Sequence, residues 1–280
     1  MKDIYYVDGE FVTADKAVIP ADDLAILRGY GVFDFLRTYH GKPHFITEHI
    51  ERLMNSARQI GLDLPWSQEE ITDLVRQTLS RNTHRESNIR IVVTGGSSPD
   101  YITPQGKPRL LILVTPLPEM PAWWYRDGVR IITIHSARNI PGAKSIDYIS
   151  ATIALKEARR QKAVEAVYID RDGRVLEGTT SNLFVFNGDT LFTPGRFILN
   201  GITRRVVLEI AARWHAIEVR DIELPELLSA DEVFITGSNK EIVPVIAVDD
   251  TIIGDGQPGH RTRNLMQAFA ASHDHDVCSP

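Results

Sequence analysis

A proline-rich segment near the middle of the chain is the feature that most constrains its fold. Residues 115–121 read Thr-Pro-Leu-Pro-Glu-Met-Pro, with three prolines in seven positions. Proline has no backbone N–H and a fixed φ, so neither a helix nor an inner strand continues through such a segment. Because 280 residues are enough for more than one hydrophobic core, we predict two domains. They cover residues 1–115 and 123–280, with a linker at 116–122.

Strand and helix patterns occur on both sides of this linker. An Asp8-Gly9 turn predicts a hairpin at the start. Ser67 and Glu70 have the spacing of a helix capping box. Residues 44–46 are predicted as a short strand, followed by a helix over residues 47–61. Because strands come in runs with helices interspersed, and not in a regular βαβ repeat, the chain is predicted to be α+β.

Net charge and cysteine content narrow the possible partners. The formal net charge is −6, which gives no electrostatic attraction to nucleic acid or to an anionic membrane. Cys278 is the only cysteine, so a disulfide framework and a cysteine-based metal cluster are excluded and a reducing cytoplasm is favoured. The first residues carry an early acid and do not resemble a signal peptide. We therefore expect a cytoplasmic protein with no metal, membrane or nucleic-acid partner.

An amine, a phenol and an acid are the candidate chemical groups. Lys144 follows a Pro-Gly turn, has few charged neighbours and precedes Tyr148 by four residues. A partly buried lysine can form a Schiff base and act as a general base. Glu177 ends a predicted strand, where it could keep a pyridine nitrogen protonated. These groups fit an aldehyde cofactor with a pyridine ring. The alternatives are a solvated lysine and a carboxylate that faces water at a hairpin edge.

Three segments could bind a phosphate group. Residues 201–204 open an amphipathic helix with Gly-Ile-Thr-Arg, and backbone amides at a helix N-terminus bind anions. Residues 236–239 form a similar small, polar turn after a strand, and Arg52 could supply a guanidinium clamp. The alternatives are a helix cap, an ordinary loop and an exposed helical arginine.

Several arginines could bind a carboxylate. Arg28 precedes two glycines, Arg37 ends the strand that follows them, and Arg90 lies within an apolar strand. An arginine inside such a strand is costly unless it is paired or functional. The alternative for Arg90 is an interstrand ion pair with an acid such as Asp34.

These segments, in this order, resemble the class IV aminotransferases, which are pyridoxal-phosphate enzymes of fold type IV. The resemblance extends from Gly29-Tyr30 to residues 254–259. Its most specific parts are residues 176–184 and 201–204, at the family's separation from Lys144. The family fold implies a small N-terminal α/β domain, a larger C-terminal pseudo-barrel domain and an active site between them. It also implies pyridoxal 5′-phosphate as cofactor and a homodimer whose chains share active sites.

The resemblance implies a role for each candidate residue. Lys144 would be the catalytic lysine. Glu177 would pair with the ring nitrogen and Tyr148 with the phenolic oxygen. The cofactor contacts implied are Arg52, Tyr148, Glu177, Ile202, Thr203, Ser238 and Asn239. The substrate contacts implied are Arg28, Tyr30, Phe33, Arg37 and Arg90.

The implied reaction moves an amino group between an amino acid and a 2-oxo acid by a ping-pong mechanism. The pattern of residues 31–37 and the position of Arg90 are similar to the branched-chain enzymes. The four-residue spacing from Lys144 to Tyr148 is closer to the D-amino acid aminotransferases, although Thr94-Gly95-Gly96 lacks their usual arginine. (R)-selective amine transaminases share the fold. We expect the branched-chain type.

Two further functions compete with transamination. An aminodeoxychorismate lyase of the same fold would release pyruvate without any amino acceptor. A non-catalytic vitamin B6 carrier would keep the pocket but show no half-reaction with any amine. The presence of the lysine, the phenol and the acid together argues against the carrier.

Overall fold

The structure is a computed structural model that describes residues 2–275. The chain forms two compact units. The first unit comprises Met1–Pro118 and Gly142–Tyr148, and the second comprises Glu119–Pro141 and Ile149–Pro280. The short segment Gly142–Tyr148 thus belongs to the first unit, although it is flanked in sequence by parts of the second. The predicted division at residues 116–122 stays a prediction.

The first unit is built on one antiparallel sheet. Its strands are β1 (Ile4–Val7), β2 (Glu10–Thr13), β3 (Gly31–Tyr39), β4 (Lys42–Pro43), β5 (Ser87–Thr94) and β6 (Arg109–Pro116). They are arranged in the order β2-β1-β6-β5-β3-β4. The predicted hairpin is confirmed, since β1 and β2 pair from Ile4–Thr13 to Val7–Glu10.

Two amphipathic helices cover this sheet. The helices of the first unit are α1 (Leu24–Arg28), α2 (Ile46–Gln59) and α3 (Gln68–Ser80). Ile50, Leu53 and Ala57 of α2 are fully buried against the apolar side chains of β3, β5 and β6. Each buried leucine or isoleucine of this kind stabilises the fold by about 1.5–3 kcal/mol. The predicted capping box of α3 is also present, with Ser67 and Glu70 bonded to each other's backbone amides.

The predicted strand at residues 44–46 is wrong. Phe45 has a φ of 50° and is the N-cap of α2, and Ile46 is the first residue of that helix. The strand that is present, β4, ends before this point. The apolar run His44-Phe45-Ile46 reflects burial beside the helix start, which a pattern of three residues does not distinguish from a strand.

The second unit is built on a larger mixed sheet. Its strands are β7 (Val129–His135), β8 (Glu165–Ile169), β9 (Arg174–Gly178), β10 (Asn182–Asn187), β11 (Thr190–Thr193), β12 (Ala216–Val219), β13 (Ile222–Glu223), β14 (Glu232–Gly237), β15 (Glu241–Val248) and β16 (Thr251–Ile252). The order is β12-β11-β10-β14-β15-β7-β8-β9-β13, and β16 pairs with β15. Pairing is parallel for β7 with β8, β7 with β15 and β11 with β12. The strands are nearly continuous apolar runs because the sheet is buried over most of its length.

Helices pack on this sheet. They are α4 (Trp123–Arg126), α5 (Ile149–Arg160), α6 (Ile202–Ala211), α7 (Leu224–Leu228) and α8 (His260–His275). Buried Glu232 accepts hydrogen bonds from the Arg261 and Thr262 amides and so satisfies the start of α8. No helix among residues 2–275 combines the length and the apolar character needed to cross a membrane. Both units mix helices with sheet, as the α+β prediction requires.

Candidate active site

Lys144 lies in a segment that extends the sheet of the first unit. The Phe33 amide donates to the Lys144 carbonyl at 2.9 Å, and the Ile146 amide donates to the Gly31 carbonyl at 3.1 Å. A Cβ at Gly31 would lie 2.6 Å from the Val93 carbonyl oxygen, so this position requires glycine. The lysine backbone is therefore fixed against β3.

Helix α2 holds the same lysine from a second direction. The Lys144 amide donates to Ser56 Oγ at 3.0 Å, and Ser56 Oγ donates to the Arg52 carbonyl at 2.7 Å. Ser56 thus connects the backbone of Lys144 to the turn of α2 that carries Arg52. Two residues predicted to contact the same cofactor share one hydrogen-bonded support.

The side chain of Lys144 lies beside aromatic rings. Its Nζ is 4.7 Å from the ring centroid of Phe33. The rings of Phe33 and Tyr148 meet edge to face, with centroids 5.5 Å apart. Lys144 is half-buried, which contradicts the alternative of a freely solvated lysine. The structure brings the predicted lysine, phenol and Phe33 together.

Asp34, Arg52 and His49 form a buried ionic cluster in the same unit. Asp34 is fully buried, and Arg52 donates to both of its carboxylate oxygens at 2.8 Å. His49 Nδ1 is 2.6 Å from Asp34 Oδ1. Burial opposes ionisation of Asp34, but the charge of Arg52 and the hydrogen bonds outweigh it and hold the pKa of this carboxyl well below its ordinary range. Asp34 is therefore a carboxylate that orients Arg52.

The alternative pairing of Arg90 with Asp34 is wrong. Arg90 lies opposite Phe35 in the β3–β5 register, whereas Asp34 lies opposite Ile91. Side chains alternate between the faces of a sheet, so this register separates Arg90 from Asp34. Arg90 is exposed, with its guanidinium 5.2 Å from the ring centroid of Phe33. It therefore lies next to the ring that contacts Lys144.

The other substrate candidates have local partners. Arg28 is exposed and donates to the Leu27 carbonyl at 2.7 Å. The Tyr30 hydroxyl is within 3.1–3.2 Å of the Gly61 and Ile60 carbonyls at the end of α2. The guanidinium of Arg37 lies 4.2 Å from the ring centroid of Tyr39. The Tyr30 hydroxyl thus has a structural contact that the sequence did not indicate.

Glu177 is deeply buried in the second unit. Only 4% of it is exposed, so the alternative of a carboxylate that faces water is wrong. Its Oε2 accepts a hydrogen bond from the Leu199 amide at 3.0 Å. Arg138 Nη1 lies 3.4 Å from Oε1, and Asn182 Nδ2 lies 3.4 Å from Oε2. Because a buried carboxylate needs such partners to stay ionised, this arrangement suits an acid that faces a cationic ring.

The start of α6 offers hydrogen-bond donors to a phosphate-sized group. Gly201 is the N-cap, and a glycine has no side chain with which to cap the first turn. A Cβ at Gly201 would lie 2.0 Å from Asn182 Oδ1, so glycine permits a close approach there. Thr236, opposite Asn182 in the β10–β14 register, is buried, and among the described residues its Oγ1 has no hydrogen-bond partner. Amides at a helix N-terminus and an unpartnered hydroxyl are donors that a phosphate accepts from.

Comparison with known proteins decides the family. The family model for class IV amino-transferases matches residues 31–248. The chain belongs to the class IV aminotransferase family.

Two relatives of this aminotransferase are named after different substrates. A candidate branched-chain-amino-acid aminotransferase of Methanocaldococcus jannaschii is 37% identical over 276 residues, covering 94% of both chains. A D-alanine aminotransferase of Staphylococcus epidermidis is 34% identical over 277 residues, covering 94% of this chain and 95% of that one.

The fold is also similar to that of solved structures. The branched-chain amino acid aminotransferase of Escherichia coli superposes with a TM-score of 0.91 at 28% identity, covering 97% of this chain and 94% of that one. The predicted fold class, α+β of fold type IV, is confirmed. The prediction of a transaminase is also confirmed.

Sequence reasoning missed two residues that support Glu177 in this aminotransferase. Arg138 lies in a polar loop after β7, and Asn182 follows the small-residue turn after β9. Asn182 Nδ2 also donates to the Leu199 carbonyl at 2.9 Å, so it connects Glu177 to the segment that precedes α6. A polar residue at the first position of an otherwise apolar strand was the available signal for Asn182.

Proposed function

We propose that this aminotransferase uses pyridoxal 5′-phosphate, bound covalently through Lys144, to move an amino group between an amino acid and a 2-oxo acid. The observation that carries the proposal is the placement of Lys144. Its backbone is held by β3 and by Ser56, and its amine lies beside the ring of Phe33. A nucleophile fixed in this way is suited to repeated covalent chemistry at one point.

When bound, the cofactor would withdraw electrons from the substrate Cα and so make its proton acidic. Lys144 Nζ would take that proton and deliver it to the other side of the transferred nitrogen. Glu177 would hold a proton on the ring nitrogen, and Tyr148 would donate to the phenolic oxygen. Since the enzyme would retain the amino group after the first keto product leaves and before the 2-oxo acid binds, ping-pong kinetics are expected.

The phosphate would be held by groups of three kinds. The Ile202 and Thr203 amides stand at the start of α6, whose N-cap residue, Gly201, has no side chain. The Thr236 hydroxyl and Ser238 lie at the end of β14. Arg52, which Asp34 orients, would add a guanidinium. The Asn239 amide would lie near the substrate carboxylate.

For the substrate, we propose an amino acid of the branched-chain type. The name of the Methanocaldococcus jannaschii relative and the likeness to the Escherichia coli enzyme support this proposal. Arg90 supports it as well, because its guanidinium lies beside the ring of Phe33 and could attract a carboxylate. Arg28 and Arg37 would be secondary contacts.

A D-amino acid donor is the second candidate. Two observations favour it: the spacing from Lys144 to Tyr148 and the 34% identity to a D-alanine aminotransferase. With the Cα proton directed at Lys144, the two candidates would differ in that the side chain and the carboxylate exchange places, and not in the chemistry of Lys144.

One experiment tests the reaction and separates the donors. The purified protein, loaded with pyridoxal phosphate, is mixed separately with L-leucine, D-alanine, D-glutamate and (R)-1-phenylethylamine, and the visible spectrum is followed without an acceptor. We expect a spectral change with L-leucine that a 2-oxo acid reverses. A change only with D-alanine or D-glutamate would select the second candidate. In a parallel mixture with aminodeoxychorismate, repeated release of pyruvate without any acceptor would select the lyase. No spectral change with any amine would refute transamination.

Location and assembly complete the proposal. A single cysteine, Cys278, supports a cytoplasmic protein; this residue lies outside the described part of the chain. Ile149 and Ile153, one turn apart on α5, are 73% and 62% exposed, which supports a homodimer that covers them. Light scattering on the loaded protein would measure its mass.

A further inference from the structure

A second buried ionic cluster lies in the larger unit, outside the groups used so far. Glu165, at the start of β8, is fully buried, and the side chain of Lys240 is 8% exposed. Lys240 Nζ lies 3.1 Å from Glu165 Oε2 and 2.8 Å from Thr180 Oγ1. Neither residue was singled out by the sequence.

The carboxylate of Glu165 organises the turn that follows Glu177. Thr179 Oγ1 donates to one carboxylate oxygen. Thr180 Oγ1 and Ser181 Oγ donate to the other at 2.7 and 2.9 Å. The turn is closed by the Gly178 amide, which donates to the Ser181 carbonyl at 2.8 Å. Residues 178–181 are thus fixed by a single buried acid.

Lys240 brings a second turn to the same acid. Its amide donates to the Gly237 carbonyl at 3.1 Å, which closes residues 237–240. A Cβ at Gly237 would lie 3.2 Å from the Thr180 carbonyl oxygen, so the two turns are in close contact. The first turn follows Glu177, and the second contains Ser238 and Asn239.

The cluster is not explained by stability alone. Transferring a lysine and a glutamate from water to the interior costs several kcal/mol per ion, and apolar residues of similar volume often serve the fold equally well. What the pair supplies is a directional connection between two turns. Fully satisfied buried polar networks of this kind specify one arrangement of the chain.

We infer that Lys240 and Glu165 are positioning residues that lock residues 237–240 to residues 178–181, and so keep the phosphate-binding groups at a fixed distance from Glu177. This inference rests on the proposed function. Neither side chain needs to touch the cofactor. Because they fix the distance between the two turns, one rigid ligand can contact Glu177 and the phosphate-binding groups at the same time.

The test uses Lys240→Met and the double variant Glu165→Gln/Lys240→Met, which leaves no unpaired buried charge if the single variant folds poorly. The dissociation constant of pyridoxal phosphate is measured on the apoprotein, together with amide hydrogen exchange of peptides covering both turns. We expect the dissociation constant to rise about tenfold, which corresponds to about 1.4 kcal/mol. Exchange in both turns should become faster even without the cofactor.

Glu232→Gln is the matched control, because Glu232 is also a buried carboxylate of this unit but caps α8. It should lower the melting temperature and leave the dissociation constant unchanged. Wild-type affinity and exchange in the double variant would overturn the inference while leaving the proposed function intact. A wild-type protein that does not bind pyridoxal phosphate would overturn both.

Discussion

Each unit contains an ionic cluster around a completely buried carboxylate, and the partners of that carboxylate differ. In the first unit, Asp34 is held by Arg52 and His49, which both come from α2. In the second unit, Glu165 is held by hydroxyls of one turn and by Lys240 of another. The first acid orients a side chain that is itself proposed to bind the cofactor. The second acts on loops. One unit therefore fixes its candidate groups through a helix, and the other through connected turns.

Replacing the lysine of the first unit should have the largest effect. Lys144→Ala should lose turnover by at least about 10³-fold, because it removes both the nucleophile and the base. It should also abolish covalent attachment of pyridoxal phosphate, measured by borohydride reduction and peptide mapping. Lys156→Ala, at an exposed lysine of α5, is the control. If borohydride reduction of the wild type labelled another lysine, the assignment of Lys144 as the point of covalent attachment would be wrong.

Changing the acid of the second unit should be milder. Glu177→Gln keeps the shape of the side chain and its hydrogen bond from the Leu199 amide, but removes the charge. We expect bound cofactor and a half-reaction slower by about 10²-fold, since a general acid–base or electrostatic contribution is typically of this size. Stopped-flow spectra measure the rate, with Glu223→Gln as the exposed control. An unchanged rate would remove Glu177 from its proposed role and leave the first unit alone responsible.

The two buried clusters should respond to pH in different ranges. Burial lowers the pKa of His49 below its ordinary 6.5, against the opposing effect of Asp34. The unfolded chain therefore takes up a proton near pH 6.5 that the folded chain does not, so the free energy of unfolding falls as the pH drops below this value. For Glu165, burial acts against ionisation, but Lys240 and the hydroxyls hold the pKa below its ordinary 4.5. Its contribution is complete above pH 4.5 and is lost only below it.

Urea unfolding at pH 7.5 and 5.5 measures this difference. His49→Gln should reduce the loss of stability between the two pH values by about 1 kcal/mol. His135→Gln, at an exposed histidine, should leave it unchanged. An equal loss in wild type and His49→Gln would mean that the histidine does not distinguish the two clusters.

The smallest effect on catalysis is expected at the exposed arginine of the first unit. Arg90→Ala should raise the KM of carboxylated donors by about tenfold, because the loss of one charged contact is worth about 1.5–3 kcal/mol when fully formed and less when exposed. The KM of (R)-1-phenylethylamine should not change, and Arg76→Ala, at an exposed arginine of α3, should affect neither. Equal losses for both donors would give Arg90 a structural role.

The parts of the fold that follow from local sequence could be predicted. The β1–β2 hairpin depends on one Asp-Gly turn, and α3 begins at a capping box that four residues define. The start of α2 could not be predicted in this way. Phe45 has a left-handed conformation that only the surrounding structure selects. The run His44-Phe45-Ile46 is too short to distinguish the start of a helix from a short strand.

The same distinction between local motifs and distant contacts applies to the candidate site. Lys144 and Glu177 stand in recognisable motifs, so the sequence alone was enough to propose a chemical role for each. Their supports could not, because Ser56 and Lys144 are 88 positions apart and Lys240 and Glu165 are 75 positions apart. The alternative of an ion pair between Arg90 and Asp34 was wrong for a related reason. Strand register, which sets the face on which each side chain lies, is decided by pairing and not by composition.

The membership of Gly142–Tyr148 in the first unit has a consequence for biosynthesis. A nascent chain that has emerged only to Pro118 contains every strand of the first sheet but lacks the segment that bonds to Gly31, Phe33 and Ser56. The ribosome must therefore release part of the second unit before the first can be completed. A chain cut at the proline-rich segment would yield an N-terminal fragment that lacks Lys144, the residue proposed to bind the cofactor.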